Sequence, residues 1–176
     1  LELEGATQAR MDLVRLAERA IKSRVALPFA RGLKQWDQKY GGLSVDEKVL
    51  LASLYYVGGE YGNAVKYFRQ TEPDLVLDRR KKWVLIATLT SLLRSGHLQE
   101  AREVASKLKE SYPASPELDE VKYRFSVHYY KSGDLEHAEK CFQQLNKTTQ
   151  SLTYKKLCKQ YLARIEHQKK IRRASP

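Results

Sequence analysis

Residues 55–68 read YYVGGEYGNAVKYF, residues 92–105 read LLRSGHLQEAREVA, and residues 129–142 read YYKSGDLEHAEKCF. Gly59, Gly96 and Gly133 stand 37 residues apart, and Ala64, Ala101 and Ala138 follow them by five. Each copy keeps two apolar residues, a glycine, a bulky residue (Tyr61, Leu98 or Leu135) and then the alanine. Self-similarity at a fixed period of this size is the mark of a stacked repeat. The glycine is expected to end a helix by taking a left-handed backbone that a side chain resists. The alanine marks the crossing of two helices, where a larger residue would hold them apart.

Working outward from these stretches, apolar residues recur at helical spacing, as in Leu50, Leu51, Leu54 and Tyr55. Helices are expected over 45–57, 82–94 and 118–131 before the glycines, and over 61–70, 98–111 and 135–146 after them. Ser44 followed by Glu47 predicts a capping box at the first of these. Pro73 and Pro113 punctuate the links between hairpins. Asp78 is placed to cap the helix carrying Trp83, and Ser115-Pro116 opens the next helix with proline in its first turn. Nothing alternates with the period of two that marks a strand, so the fold class is all-α. Residues 6–22 and 28–40 read as two more helices, ended by Gly41-Gly42. The expected organisation is an N-terminal helix pair over 1–43, consistent with a degenerate repeat, three repeats over 44–150, and 151–176 as a closing helix with a basic tail. Terminal units of a stack differ from inner ones because one face meets water instead of a neighbour.

These residues resemble the tetratricopeptide repeat (TPR) family over about residues 44–146. Ala52, Tyr55, Gly59, Ala64 and Phe68 fit the family pattern in the first copy, and Ser126, Tyr129, Gly133, Ala138 and Phe142 fit it in the third. The second copy keeps Gly96, Ala101 and Pro113 but has Leu89, Leu92 and Ala105 where the family has a small residue, a tyrosine and an aromatic. The spacing is also longer than the family's usual period of about 34 residues. The resemblance implies a right-handed superhelical solenoid of helix-turn-helix repeats whose concave face holds a partner protein. A narrower likeness, over residues 108–142, is to repeats of bacterial cell-envelope proteins of the barrel-assembly lipoprotein and Tol–Pal coordinator kind. It rests on Tyr112-Pro113-x-Ser115-Pro116 and the long period, and it prefers the envelope over the cytoplasm while leaving the compartment open.

The chain has 176 residues, enough for a substantial core, and its 42% hydrophobic and 30% charged residues are an ordinary folded composition. The longest apolar runs are too short to span a bilayer. The chain opens Leu1-Glu2-Leu3 without methionine and is expected to be a piece of a longer polypeptide, which makes the lack of a targeting signal uninformative. Residues 151–176 carry eight basic residues against one acidic, a net +7 of the chain's +11. The body is therefore nearly balanced and the tail holds the excess. Cys141 and Cys158 form no disulfide framework and read as free thiols in helices.

Little in the sequence suggests catalysis. His97, His128, His137 and His167 do not converge, and no phosphate loop, zinc-helix motif or nucleophile elbow occurs. His137 and Cys141 are four apart on one helix but lack a second ligand pair, so no metal or cofactor is expected. The grouped carboxylates Glu117, Asp119 and Glu120 read as complements to a helix dipole. The expectation is a non-catalytic scaffold.

The family resemblance implies which residues face the groove. The candidate partner-binding residues are Ser53, Tyr56, Trp83, Ile86, Thr90, Arg94, Tyr123, Val127, Tyr130 and Lys131, with Asp46, Val49, Val57, Leu93 and Glu120 beside them. The Lys and Asn with which some family members grip a terminal carboxylate are absent; Val49, Ile86, Tyr123 and Ser53, Thr90, Val127 stand there instead. A groove of aromatic, aliphatic and a few cationic side chains suits an extended peptide or a helix from a partner protein. The bland alternative is that Trp83, Tyr123 and Tyr130 pack between hairpins. A rival class is a basic adaptor that binds nucleic acid or another polyanion through Arg79, Arg80, Lys81, Lys82, Lys169, Lys170, Arg172 and Arg173, although no base-reading motif accompanies them. An exposed groove also leaves self-association open.

Overall fold

A computed structural model describes the backbone of residues 2–23 and 25–174 and the side chains of 7–21 and 25–172. Among the described residues there are nine α-helices and no strand. They are α1 (Glu2–Ser23), α2 (Leu27–Tyr40), α3 (Val45–Val57), α4 (Tyr61–Thr71), α5 (Asp78–Arg94), α6 (Leu98–Ser111), α7 (Glu117–Lys131), α8 (Leu135–Thr148) and α9 (Leu152–Ala174), with a short 3-10 turn at Glu72–Asp74. No described helix is long and apolar enough to cross a membrane.

The three glycines of the repeat have one conformation. Gly59, Gly96 and Gly133 have φ of 82°, 82° and 83°. After each, a backbone N–H reaches back five residues to close the helix: Glu60 to the Tyr55 carbonyl at 2.9 Å, His97 to Leu92 at 2.9 Å, and Asp134 to Tyr129 at 3.0 Å. A second bond runs from each glycine N–H to Tyr56, Leu93 and Tyr130 respectively, at 3.2–3.4 Å. This paired closure satisfies carbonyls that the helix end leaves without partners. Ala64, Ala101 and Ala138 are all fully buried, as the repeat reading requires.

The residue before each glycine differs for a local reason. Ser95 and Ser132 turn their hydroxyls onto the Ser91 and Tyr129 carbonyls at 2.9 and 3.0 Å. The first copy has Gly58 there, and a Cβ on it would lie 2.4 Å from Cδ2 and 2.6 Å from Cγ of Leu27. The start of α2 thus presses on the end of α3, and only a bare backbone fits.

Boundaries follow local chemistry. Ser44 and Glu47 form the expected capping box: Glu47 N–H donates to Ser44 Oγ at 3.3 Å, and Ser44 N–H donates to Glu47 Oε2 at 2.8 Å. Such a cap is worth about 1 kcal/mol. Asp78 does not cap α5. It is the first helical residue, and extended Leu77 precedes it without a side-chain cap. Pro116 likewise sits one position ahead of α7, where Ser115 Oγ donates to Glu117.

The chain forms two compact units that divide inside α6, after Val104. In the first, α1 packs on α2 and α3, α2 on α3, α3 on α4 and α5, and α4 on α5. Its core is built from Leu33, Leu51, Leu54, Phe68 and Val84, with Ala17, Ala30, Ala52 and Ala64 where helices approach closely. Residues 84–93 of α5 are all buried. The hydroxyls of Thr88, Thr90 and Ser91 donate to carbonyls four residues back at 2.7–2.8 Å, so no unsatisfied donor is carried inside. Both tryptophans, Trp36 and Trp83, fall in this unit.

In the second unit α7 packs on α8 and α9, and α8 on α9. Leu135, Ala138, Phe142, Leu145, Cys158 and Ile165 form its centre. Cys158 is buried and Cys141 half-buried. Burial pushes both thiols up, away from the reactive thiolate.

Candidate functional site

The first unit carries a groove of about 330 Å³ between α1, α3 and α5, lined by Val14, Glu18, Asp46, Glu47, Val49, Leu50, Ser53, Arg80 and Trp83. Of the residues expected to face a groove, Ser53, Trp83, Asp46 and Val49 are among those that line this one. Its geometry follows from helix periodicity. Asp46, Val49, Leu50 and Ser53 are spaced three or four apart and so share one face of α3, and Arg80 and Trp83 share one face of α5.

Two ion pairs frame the groove. Arg80 of α5 bonds Asp46 of α3. Arg10 of α1 bonds both carboxylate oxygens of Glu47, with Nε at 2.7 Å from Oε1, and its Nη2, which reaches Oε2, also donates to the Gly42 carbonyl at 3.0 Å. The Arg10 guanidinium, against some opposition from burial and with help from Ser44, holds the Glu47 carboxyl down at about 2. Glu18 is different. Its exposed carboxylate has no hydrogen-bond or ion-pair partner among the described residues.

Trp83 is 45% exposed, an unusual position for so large an apolar surface. Its ring meets Phe68 edge-on with centroids 5.6 Å apart, which leaves the rest of the indole over the groove. Ser53 is buried at the floor, and its hydroxyl donates to the Val49 carbonyl at 2.6 Å.

The remaining candidate residues of this unit lie elsewhere. Ile86 and Thr90 are buried, and the Thr90 hydroxyl is spent on the Ile86 carbonyl. Tyr56 packs edge-on against Tyr61, and Arg94 lies 5.5 Å over the Tyr61 ring while donating to its hydroxyl at 3.1 Å. Tyr56 and Arg94 therefore belong to a clasp around Tyr61 at the turn end of α3, α4 and α5. Arg94, expected at a groove, stays exposed while making this contact within the chain.

In the second unit the expected groove residues are engaged by α9. Tyr123 meets Phe142, Tyr154 and Tyr161 with centroids 6.2, 5.6 and 6.1 Å apart, and Tyr130 meets Tyr161 at 5.2 Å. Gln168 donates to the Tyr130 hydroxyl at 3.0 Å, and Val127 packs beside the same core. Burial, followed by the neighbouring Tyr161 hydroxyl, pushes Tyr123 up to about 12. Tyr123 and Tyr130 thus pack between helices of this unit, with Val127 beside them. Lys131 is exposed at the end of α7.

The basic residues are largely paired. Arg80 bonds Asp46, Lys81 lies 4.0 Å from Glu72, Lys169 bonds Glu139 at 2.6 Å and Lys170 bonds Glu166 at 2.8 Å. Lys82 is half-buried, while Arg79 and Arg172 are exposed. The side chain of Arg173 lies outside the described residues. His137 is held by the acid that caps its own helix, with Nδ1 2.8 Å from Asp134 Oδ2.

Comparison with protein-family models, with curated proteins and with solved structures finds no match to this chain. The site therefore stands on its own geometry. Glu18 and Arg10 escape a reading of the repeat because they lie on α1, ahead of it. The capping box is the one local signal near them: it marks Glu47, the residue that Arg10 joins.

Proposed function

We propose that this chain is a non-catalytic protein-binding scaffold, a right-handed superhelical stack of TPR-like hairpins within a larger assembly. A segment of a partner protein docks in the groove between α1, α3 and α5. The observation that carries this reading is Trp83, held by Phe68 on one side and exposed over a concavity that Val14, Val49 and Leu50 also line. Trp supplies a large rigid contact area with little rotamer freedom to lose, and such residues dominate protein interfaces. A concavity of this size accepts a side chain or two of a peptide. The repeated closure at Gly59, Gly96 and Gly133 supports the hairpin stack.

The test compares the intact chain with Trp83→Ala as bait for defined partner candidates, followed by binding with purified components. Circular dichroism confirms that the variant keeps its helices. Loss of binding on a folded variant is the expected result, and full retention would move the site elsewhere.

A further inference from the structure

We infer that the groove selects a basic segment, one in which an arginine or lysine lays its aliphatic stem on Trp83 and Leu50 and delivers its charge to Glu18. This rests on the proposal that the groove holds a partner, and it names what that partner must carry.

The argument is one of charge and shape. The protein is basic overall, with a net charge of +11, yet the groove lining holds three carboxylates, Glu18, Asp46 and Glu47, against the one guanidinium of Arg80. Two of these acids are already occupied: Glu47 by Arg10, and Asp46 through one oxygen by Arg80. Asp46 nevertheless stays 73% exposed, with its second oxygen turned to no partner among the described contacts. Glu18 has no partner at all among them. An incoming cation thus finds one uncommitted carboxylate and half of another beside an exposed indole. Long cationic side chains suit such a place because the stem covers apolar surface while the head stays with a charge. The indole face adds its own attraction for a cation, and a planar guanidinium can be shared between two carboxylates. An acidic segment would meet Glu18 and Asp46 with like charge and find no free cation in the lining.

The experiment titrates the intact chain with three fluorescently labelled pentapeptides that share two leucines. One carries arginine and lysine at the other positions, one glutamate and aspartate, and one serine. The basic peptide is expected to bind at least about tenfold more tightly than the serine peptide, with no saturable binding of the acidic one. Affinity for the basic peptide should fall several-fold between 50 and 300 mM salt, roughly as expected when exposed charges are screened. Glu18→Gln should remove most of the preference, and Glu18→Lys should reverse it in favour of the acidic peptide. Glu18 is exposed, so neither variant endangers folding.

Equal binding of basic and serine peptides, lost in Trp83→Ala, would overturn the basic preference and keep the groove. Binding of any peptide that survives both Trp83→Ala and Glu18→Lys would overturn the groove itself. Absence of binding by all three peptides would overturn the inference. So would concentration-dependent self-association abolished by Glu18→Lys, because a second copy of the chain would then be the occupant.

Discussion

Val49 in α3 and Tyr123 in α7 occupy the same place in two copies of one repeat, yet they face opposite situations. Val49 lines an open groove whose far wall is a half-exposed Trp83. Tyr123 is closed in by Tyr154 and Tyr161 of α9 and by Phe142 of α8. Ser53 and Val127 repeat the contrast one turn later: the first forms a groove floor and the second packs in a core. The repeat fixes where a side chain points, and the next helix decides whether that direction is a surface or an interior. In the first unit small and medium residues on α3 keep the concavity open. In the second, five aromatic rings on α7, α8 and α9 fill it.

The comparison can be broken most directly by truncation. Tyr123→Ala should cost about 3 kcal/mol in denaturant unfolding, because it removes a ring with three aromatic neighbours. Trp83→Ala should cost about 1 kcal/mol, since its ring has one such contact and much of it already meets water. Equal losses would mean that Trp83 is a core residue and that the two faces do not differ.

A smaller effect tests the equivalence of the copies. Gly59→Ala, Gly96→Ala and Gly133→Ala should each cost about 1 kcal/mol, the strain of a left-handed alanine, because a Cβ meets nothing closer than 3.7 Å at any of them. Gly58→Ala should cost about 2 kcal/mol for a different reason, overpacking against Leu27. Its φ of −74° suits any residue, so trimming the neighbour with Leu27→Ala should relieve most of that clash, whereas no neighbour can relieve the other three.

The smallest effect belongs to the rim of the open groove. Glu47 titrates at about 2 in the fold against an ordinary value of 4.5. Its pairing with Arg10 therefore contributes fully above pH 4.5 and is lost as pH falls toward 2. A melting series from pH 6 to pH 2 should show the intact chain losing more stability on acidification than Glu47→Gln. Parallel curves would show that the pair contributes nothing across that window.

What was legible in the sequence is what a few neighbouring residues decide. The capping box of Ser44 and Glu47, the closures at three glycines and the buried alanines each follow from a window of about six residues, and the helix limits came within a few positions. Asp78 failed as a cap because Leu77 already holds the extended conformation that a cap requires. The site was legible by halves. Ser53 and Trp83 share the groove because two helices present them in register. The roles of Tyr123, Tyr130 and Arg94 depend on Tyr161 and Tyr61, partners whose distance in the fold no local pattern reveals. Arg10 and Glu47 stand 37 residues apart, and their bond joins helices that periodicity alone does not bring together.

The placement of Trp36 and Trp83 gives the molecule a built-in optical asymmetry. Indole emission reports on the first unit alone, whereas the second unit, with Tyr112, Tyr123, Tyr129, Tyr130, Tyr154 and Tyr161, absorbs near 280 nm without any indole of its own. Excitation at the red edge, where tyrosine is silent, follows one half of the chain through unfolding while circular dichroism follows both. Coincident curves would describe a single cooperative body, and separated ones would assign each melting step to its unit without a label being attached.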